Sequence, residues 1–173
     1  MSLVIDRTEA AEYYFKYIDR VVLAPGQSIA DLIAAQLDDA ASFFGGITDA
    51  QSSHRYAPDK WSLRQVLSHV NDTERVFAYR ALWFARGFPA ELPGFDQDVA
   101  IATAGADARA WSSHVEEFRA IRAASVTLFR NLPPDAWMRR GIASGHPFSV
   151  RALAFITAGH VAHHTAIVRE RYL

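Results

Sequence analysis

Four long segments in which apolar residues recur at three- and four-residue intervals constrain the fold of this chain more than any other feature of its sequence. No segment shows a convincing alternation of apolar and polar residues, so strands are not predicted. A helix with one apolar stripe must bury it against another element, and four such helices favour a bundle. The sequence therefore predicts an all-α fold, a four-helix bundle with a short extra helix near the N-terminus, in one domain over residues 1–173.

Capping and helix-breaking residues give the limits of these helices. Ser28 and Ser149 are suited to N-cap positions, and Ser62 followed by Gln65 is a capping-box pattern. Glycines follow the first long segment and prolines follow the third. The predicted helices are the short one over residues 8–22 and the long ones over 28–45, 62–86, 107–132 and 149–173.

A long connection, residues 87–106, separates the second long helix from the third. Its length exceeds what neighbouring helices usually need, so it is functional, a crossover, or both. If it crosses the bundle, the second and third long helices run parallel and the fourth runs antiparallel to the second. The predicted topology is therefore up-down-down-up.

Three histidines lie close together in the last predicted helix: His160, His163 and His164. Residues four apart on a helix differ by about 40° in direction and about 6 Å along the axis, so His160 and His164 can present two nitrogens to one point. His163 lies about 100° from His164, so one metal ion is not expected to bind both. Two interpretations of His160 and His164 remain. They form half of a metal site, or they are polar residues on a helix face, one of them buried and bonded to a backbone carbonyl.

A third histidine is needed for a metal site, and His69 lies in the apolar stripe of the second long helix. In an up-down-down-up bundle His69, His160 and His164 fall at similar heights, within about two helical turns. A lone histidine in such a stripe is more often a core residue bonded to a neighbour. The spacing therefore permits a three-histidine site without requiring one.

The composition limits the chemistry that is available. The chain has no cysteine, which excludes disulfides, thiolate ligands and a cysteine nucleophile, so a metal would need histidine, carboxylate and water ligands. The formal net charge of −1 shows no excess of positive charge of the kind that binds nucleic acid. Residues 1–9 lack the apolar core of a secretory signal, and no run of about 18 uncharged apolar residues occurs. We therefore expect a cytoplasmic protein with no membrane or nucleic-acid partner.

Several motifs occur in a fixed order along nearly the whole chain. They are residues 55–62 (RYAPDKWS), His69, Asp72, Glu74, Arg75, residues 93–98 (PGFDQD), residues 159–164 (GHVAHH) and residues 169–173 (RERYL). Together they resemble the DinB-like (DinB/YfiT) superfamily of metalloenzymes. Each motif is weak alone, but their combination is specific.

The resemblance implies a four-helix bundle, usually a homodimer, that binds one divalent metal ion, commonly nickel or zinc, through three histidines. Carried over by matching motif, the metal ligands are His69, His160 and His164. His163 matches a frequent family position but is not assigned as a ligand. Three neutral imidazoles suit zinc or nickel and leave one coordination position open to water or substrate.

Four acidic residues are candidates for accepting the second ring N–H of these ligands: Asp72, Glu74, Asp96 and Asp98. The catalytic residues are unknown, with Asp96 and Asp72 as candidates. Asp96 is favoured because it lies in the long connection and matches the family pattern. The alternatives are local turn formation for Asp96 and Asp98, and solvation or pairing with an arginine for Glu74.

Four further residues receive structural interpretations. Arg80 is expected to form a salt bridge within the bundle rather than to bind substrate. Trp61 and Trp83 are expected to make core or dimer contacts, and His114 to be structural or solvated.

Three functional hypotheses follow. Members of the resembled family include thiol-dependent enzymes, among them mycothiol-dependent maleylpyruvate isomerase and bacillithiol transferases. The leading hypothesis is a metalloenzyme that activates a low-molecular-weight thiol or water for transfer or hydrolysis on a small molecule. The second is a non-catalytic metal-binding stress or accessory protein that acts through a protein partner, and the third is a purely structural bundle. A cavity over the metal lined by polar groups would favour the enzyme, whereas a sealed metal would favour the accessory protein.

Overall fold

The computed structural model describes residues 4–173, and residues 1–3, which belong to the segment examined for a secretory signal, lie outside the described part. Seven α-helices occur in this part: α1 Phe15–Ile18, α2 Ile29–Gly45, α3 Asp49–Ser52, α4 Leu63–Ala85, α5 Gln97–Thr103, α6 Trp111–Arg130 and α7 Val150–Arg171. Short 3-10 helices span Arg7–Glu9, Glu12–Tyr14, Ala106–Ala108 and Pro134–Met138. Two strands, β1 Arg140–Ala143 and β2 His146–Ser149, form an antiparallel pair. The predicted all-α bundle of four long helices (α2, α4, α6 and α7) is confirmed, with the small hairpin as an addition.

Three of the four long helices begin where the capping residues predicted, whereas α6 begins at Trp111 rather than at residue 107 and has no side-chain cap. The side-chain oxygen of Ser62 accepts a hydrogen bond from the backbone N–H of Gln65, and the side-chain oxygen of Gln65 accepts one from the backbone N–H of Ser62. Ser28 forms the corresponding box before α2, and Ser149 accepts from the amide of Ala152 at the start of α7. These bonds satisfy amide groups that the first helical turn leaves without partners.

Contacts at both ends show that α2 and α6 run antiparallel. Arg130 Nη2, at the end of α6, lies 3.5 Å from Asp31 Oδ1 in the first turn of α2. Trp111 Nε1, at the start of α6, donates to Phe44 O near the end of α2 over 2.9 Å.

By contrast, α4 and α6 run parallel. Arg64 Nη1, at the start of α4, donates to Asp107 O, just before α6, over 2.9 Å. Further along both helices, Arg122 Nη1 lies 3.1 Å from Glu74 Oε2.

The last helix, α7, runs antiparallel to α4. The hydroxyl of Tyr172, after α7, donates to the carbonyl oxygen of Trp61, before α4, over 2.8 Å. Midway along both helices, the rings of Phe77 and His160 lie with their centres 5.6 Å apart. The predicted up-down-down-up order is therefore confirmed, with residues 87–106 as the crossover.

The N-terminal segment and the crossover differ from the prediction. Residues 8–22 do not form one helix, since two 3-10 turns precede the four residues of α1. The crossover contains α5 and a 3-10 turn, and Leu92 exchanges backbone hydrogen bonds with Ile142 and Ser144 of the hairpin. These bonds hold residues 93–97 beside α4, where the candidate site lies.

The hairpin contradicts the expectation that the chain has no strand. Its turn residues Ser144 and Gly145 have φ angles of 54° and 72°. Two successive positive φ values are typical of the tight turns that join antiparallel strands, and glycine at the second position adopts one without strain. The strands are only four residues long, so their alternation is too short to stand out in the sequence.

The bundle core consists of two apolar clusters. One includes Phe77, Phe148 and Ile156, and the other includes Val70 and Val161. Residues 150–161 of α7 are buried on every side, as expected for a helix packed against several partners. Within residues 4–173, no helix combines the length and apolar character that crossing a membrane requires.

Candidate metal centre

Helices α4 and α7 bring three histidines to one point. His69 on α4 and His160 and His164 on α7 each offer one ring nitrogen, and these nitrogens all lie within 4.8 Å of one another. Nε2 of His69 and Nε2 of His160 are 3.2 Å apart. His69 and His160 are buried, and His164 is partly exposed. We call these three residues the histidine cluster; His163, as expected, is not part of it.

The donor set fits a divalent metal ion. Two nitrogens bound to a tetrahedral zinc ion at about 2.0–2.1 Å lie about 3.3 Å apart. The separation of 3.2 Å between the Nε2 atoms of His69 and His160 is close to that value. A hydrogen bond between two neutral rings would also give this distance, but it would not account for the convergence of His164 on the same point.

Electrostatics keep the cluster in the form that binds metals. Burial lowers the pKa of His69 to about 4, and the nearby His163 adds to this effect. Burial also holds the pKa values of His160 and His164 well below their ordinary value, with mutual repulsion among the imidazoles as a second cause. The three rings are therefore neutral near pH 7, with lone pairs free to coordinate a metal.

A close approach of α1 to α7 supports one side of the cluster. A Cβ atom at Gly159 would lie 2.1 Å from the carbonyl oxygen of Tyr17, so only glycine allows this contact. The approach places the buried Tyr17 ring edge-on to the rings of His160 and His163, with centres 5.1 and 5.2 Å apart. Tyr17 is not among the site residues predicted from the sequence, although the glycine directly before His160 is a sign of close helix packing.

Aromatic side chains enclose the cluster on other sides. The ring of Trp61 lies 5.1 Å from that of His69, and the ring of Phe77 lies 5.6 Å from that of His160. Trp61 is therefore a packing residue beside the cluster. Trp83 lies elsewhere, stacked on Phe88 with ring centres 4.2 Å apart.

Within residues 4–173, no carboxylate accepts a hydrogen bond from the ring of His69 or of His160, contrary to expectation. Nδ1 of His69 and Nδ1 of His160 are buried without a hydrogen-bond partner among residues 4–173. Glu74 instead pairs with Arg122, which agrees with the arginine alternative, and the Asp72 carboxylate lies 3.4 Å from Arg75. These two acids lie on α4 at positions where they meet α6 or the surface rather than the His69 ring.

The two aspartates of the crossover belong to the start of α5. Asp96 is the N-cap residue, and its Oδ1 accepts hydrogen bonds from the amides of Asp98 and Val99 over 2.9 and 3.2 Å. The local-turn interpretation therefore holds for Asp96.

His114, on α6, is buried, and its Nε2 lies 3.0 Å from the Ala106 carbonyl oxygen, so its structural interpretation also holds.

A cavity of about 580 Å³ adjoins the histidine cluster, and we call it the histidine cavity. His69, His160 and Tyr17 are among the residues that line it. Asp96 lines it as well, so the capping role and a place at the site are combined in one residue, whereas Asp72 is not among the lining residues. The volume suits a small-molecule substrate.

Arg80 contradicts the prediction that it forms a bundle salt bridge. It is 3% exposed and lines the histidine cavity, but no carboxylate of residues 4–173 lies within 4.0 Å of it. Its Nη2 donates to the carbonyl oxygen of Pro93 and to Oγ of Ser144 over 3.1 and 2.9 Å. The crossover and the hairpin, rather than a helix, supply its partners, and their proximity could not be read from the sequence.

Comparisons with known proteins agree with this fold. The family model described as the DinB superfamily matches residues 32–168. The chain is similar to the solved structure of YfiT from Bacillus subtilis, with a TM-score of 0.64 and 17% sequence identity, over 96% of this chain and 92% of that chain. That protein is described as "a probable metal-dependent hydrolase with an unusual four-helix bundle topology". A search of curated proteins found no match.

Proposed function

The chain belongs to the DinB superfamily, as its motifs predicted, and on this premise we propose that it is a metalloenzyme acting on a small molecule. His69, His160 and His164 would hold one divalent metal ion, nickel or zinc. The ion would activate water or a low-molecular-weight thiol for hydrolysis or transfer. The description of YfiT as a metal-dependent hydrolase is consistent with this proposal.

One observation carries the proposal: two residues of the histidine cluster, His69 and His160, form part of the wall of a cavity large enough for a substrate. Three protein ligands leave an open coordination position, and the histidine cavity gives a small molecule access to His69 and His160. A metal site closed to small molecules would favour a non-catalytic metal-binding accessory protein. A histidine cluster that binds no metal would favour a structural bundle. The open cavity favours the enzyme.

Other residues of the cavity would position and convert the substrate. The Asp96 carboxylate would accept a proton from the attacking water or thiol, since two amides hold its Oδ1 while its Oδ2 accepts no hydrogen bond from residues 4–173. The rings of Tyr17 and Phe77 would exclude water beside His160, which strengthens electrostatic interactions there.

The experiment is an activity screen with metal-loaded protein. Protein loaded with zinc or with nickel would be offered ester, amide and epoxide substrates, each with and without a low-molecular-weight thiol. Turnover without thiol identifies a hydrolase, and turnover that requires thiol identifies a transferase. The His160→Ala variant is the control, and equal turnover by this variant would contradict the proposal.

We further propose that the enzyme is a cytoplasmic homodimer. The support is the family resemblance together with an exposed apolar surface on α4 and the residues after it. Tyr79, Leu82 and Phe88 are 50%, 38% and 50% exposed. Light scattering would give the mass in solution, and Leu82→Glu is expected to produce a monomer that retains its helical content.

A further inference from the structure

Three arginines of the described chain are buried, and they differ in one respect. Arg122 pairs with the buried Glu74, its Nη1 lying 3.1 Å from Oε2, and Arg151 pairs with the buried Glu9. Arg80 is equally buried, at 3% exposure, but within residues 4–173 it has no carboxylate within 4.0 Å. A buried cation without an anion is costly, so a counterion from outside the chain would stabilise it.

The contacts of Arg80 show where such an anion would bind. Guanidinium has five N–H donors, and the two on Nη2 are directed at Pro93 O and Ser144 Oγ. No described residue accepts a hydrogen bond from Nε or Nη1, and neither atom is among the fully buried atoms without a partner. Arg80 lines the histidine cavity, so an anion bound there would lie beside this guanidinium.

The neighbours of Arg80 favour an oxyanion. The Phe148 ring centre lies 6.0 Å from the guanidinium carbon and lowers the local polarity. Ser144 adds a hydroxyl to the same wall. Asp96 also lines the cavity, but its Oδ1 is held by two amides of α5 and its carboxylate lies more than 4.0 Å from the Arg80 nitrogens. A planar or tetrahedral anion with several oxygen acceptors matches the remaining donors.

We propose that the substrate of this enzyme carries an anionic oxygen group, a carboxylate or a phosphate, and that Arg80 binds this group while the reacting bond faces the histidine cluster. The inference rests on the proposed function for the metal site and adds the substrate class. Arg80 lies eleven residues after His69 on α4, three helical turns further along the same face, and both residues line the cavity. The anionic group and the reacting bond therefore belong to different parts of the substrate.

The test is calorimetric binding of succinate, of inorganic phosphate and of the uncharged succinamide to the full chain, with and without zinc. Wild type is expected to bind one of the two anions and not succinamide, and the anion that binds identifies the group. Arg80→Met should weaken binding at least about tenfold, since a hydrogen bond to a charged group contributes about 1.5–3 kcal/mol. The matched control is Arg130→Met, which removes the same charge from an exposed pair with Asp31 and should leave binding unchanged.

Binding to metal-free protein separates this inference from the proposed function, because Arg80 itself needs no metal. Equal affinity of wild type and Arg80→Met for the anion, or no binding of either anion by wild type, would overturn the inference whatever the metal content. If Arg80→Met does not fold, the binding test is made on wild type by NMR instead. The measured signal is the ¹⁵N resonance of the Arg80 Nε–H group, which is assigned by its loss in Arg80→Lys. A shift of that resonance on titration is expected, and its absence would refute the proposal.

Discussion

Arg122 Nη1 on α6 lies 3.1 Å from Glu74 Oε2 on α4, and both side chains are buried in the middle of the bundle. Arg122 Nη2 also donates to Oε1 of Gln36 on α2 over 2.7 Å, and Gln36 Nε2 donates to the Ala158 carbonyl oxygen on α7 over 3.1 Å. One polar network therefore joins all four long helices. It reaches α7 two residues before His160, so it sets the relative positions of the helices that carry the histidine cluster.

The first prediction concerns this ion pair. Glu74→Leu or Arg122→Met alone is expected to lower the free energy of unfolding by about 3–5 kcal/mol, because each leaves the buried partner without its counter-charge. The double variant Glu74→Leu/Arg122→Met should lose much less than the two single losses combined. Urea unfolding of the four proteins measures this, and additive losses would show that the pair is not coupled.

The second prediction concerns the contact between α1 and α7. Gly159→Ala is expected to destabilise the protein by about 1–3 kcal/mol, because the new Cβ would lie 2.1 Å from the Tyr17 carbonyl oxygen. Displacement of Tyr17 should also weaken metal binding. Gly45→Ala is the matched control on α2, where the nearest atom is an Arg119 side-chain nitrogen at 3.6 Å. If both variants unfold like wild type, the close approach does not constrain the fold.

The third prediction concerns pH and Glu9, which joins the N-terminal segment to the start of α7. Burial alone would raise the pKa of Glu9, but hydrogen bonds from Arg151 and Ser149 outweigh it and hold the pKa below its ordinary value of 4.5. A lowered folded-state pKa contributes stability that is present above the unfolded value and is lost as pH falls through the folded value. The stability difference between wild type and Glu9→Gln should therefore shrink below about pH 4.5. Chemical unfolding at pH 7, 5, 4 and 3 measures it, and a constant difference would contradict the assignment.

The fourth prediction separates the two roles of Asp96. Asparagine can also cap a helix, so Asp96→Asn should leave stability and metal content close to wild type. If the carboxylate accepts the proton, kcat should fall about 10²- to 10⁴-fold. Asp72→Asn serves as the comparison and should retain activity, since Asp72 lies outside the histidine cavity beside Arg75. Full activity of Asp96→Asn would contradict the proton-accepting role and show that Asp96 acts as a helix cap alone.

The long helices and their order could be predicted from the sequence because their determinants are local. Ser28, Ser62 and Ser149 supply caps whose partners lie three residues away, and helical spacing places His160 and His164 on one face. The position of His69 opposite them followed from the length of the crossover and from the family motifs.

The remaining features depend on contacts between distant segments. Arg80 bonds to residues 13 and 64 positions away, and Tyr17 reaches His160 only because α1 crosses α7 at Gly159. The partner of Glu74 was likewise decided by packing between helices, since Arg122 lies on α6. No local pattern carries this information, although the Ser-Gly turn of the hairpin could have been recognised.

The most direct test of the central claim is the metal content of untagged protein, measured by elemental analysis after loading with zinc or nickel. We expect one ion per chain in wild type, and loss of that ion in His69→Ala, His160→Ala and His164→Ala with the helical content retained. His163→Ala is the matched control, an adjacent histidine outside the cluster, and should keep its metal. A wild type that cannot be loaded, or a His160→Ala variant that retains the ion, would contradict the assignment of the histidine cluster as a metal centre.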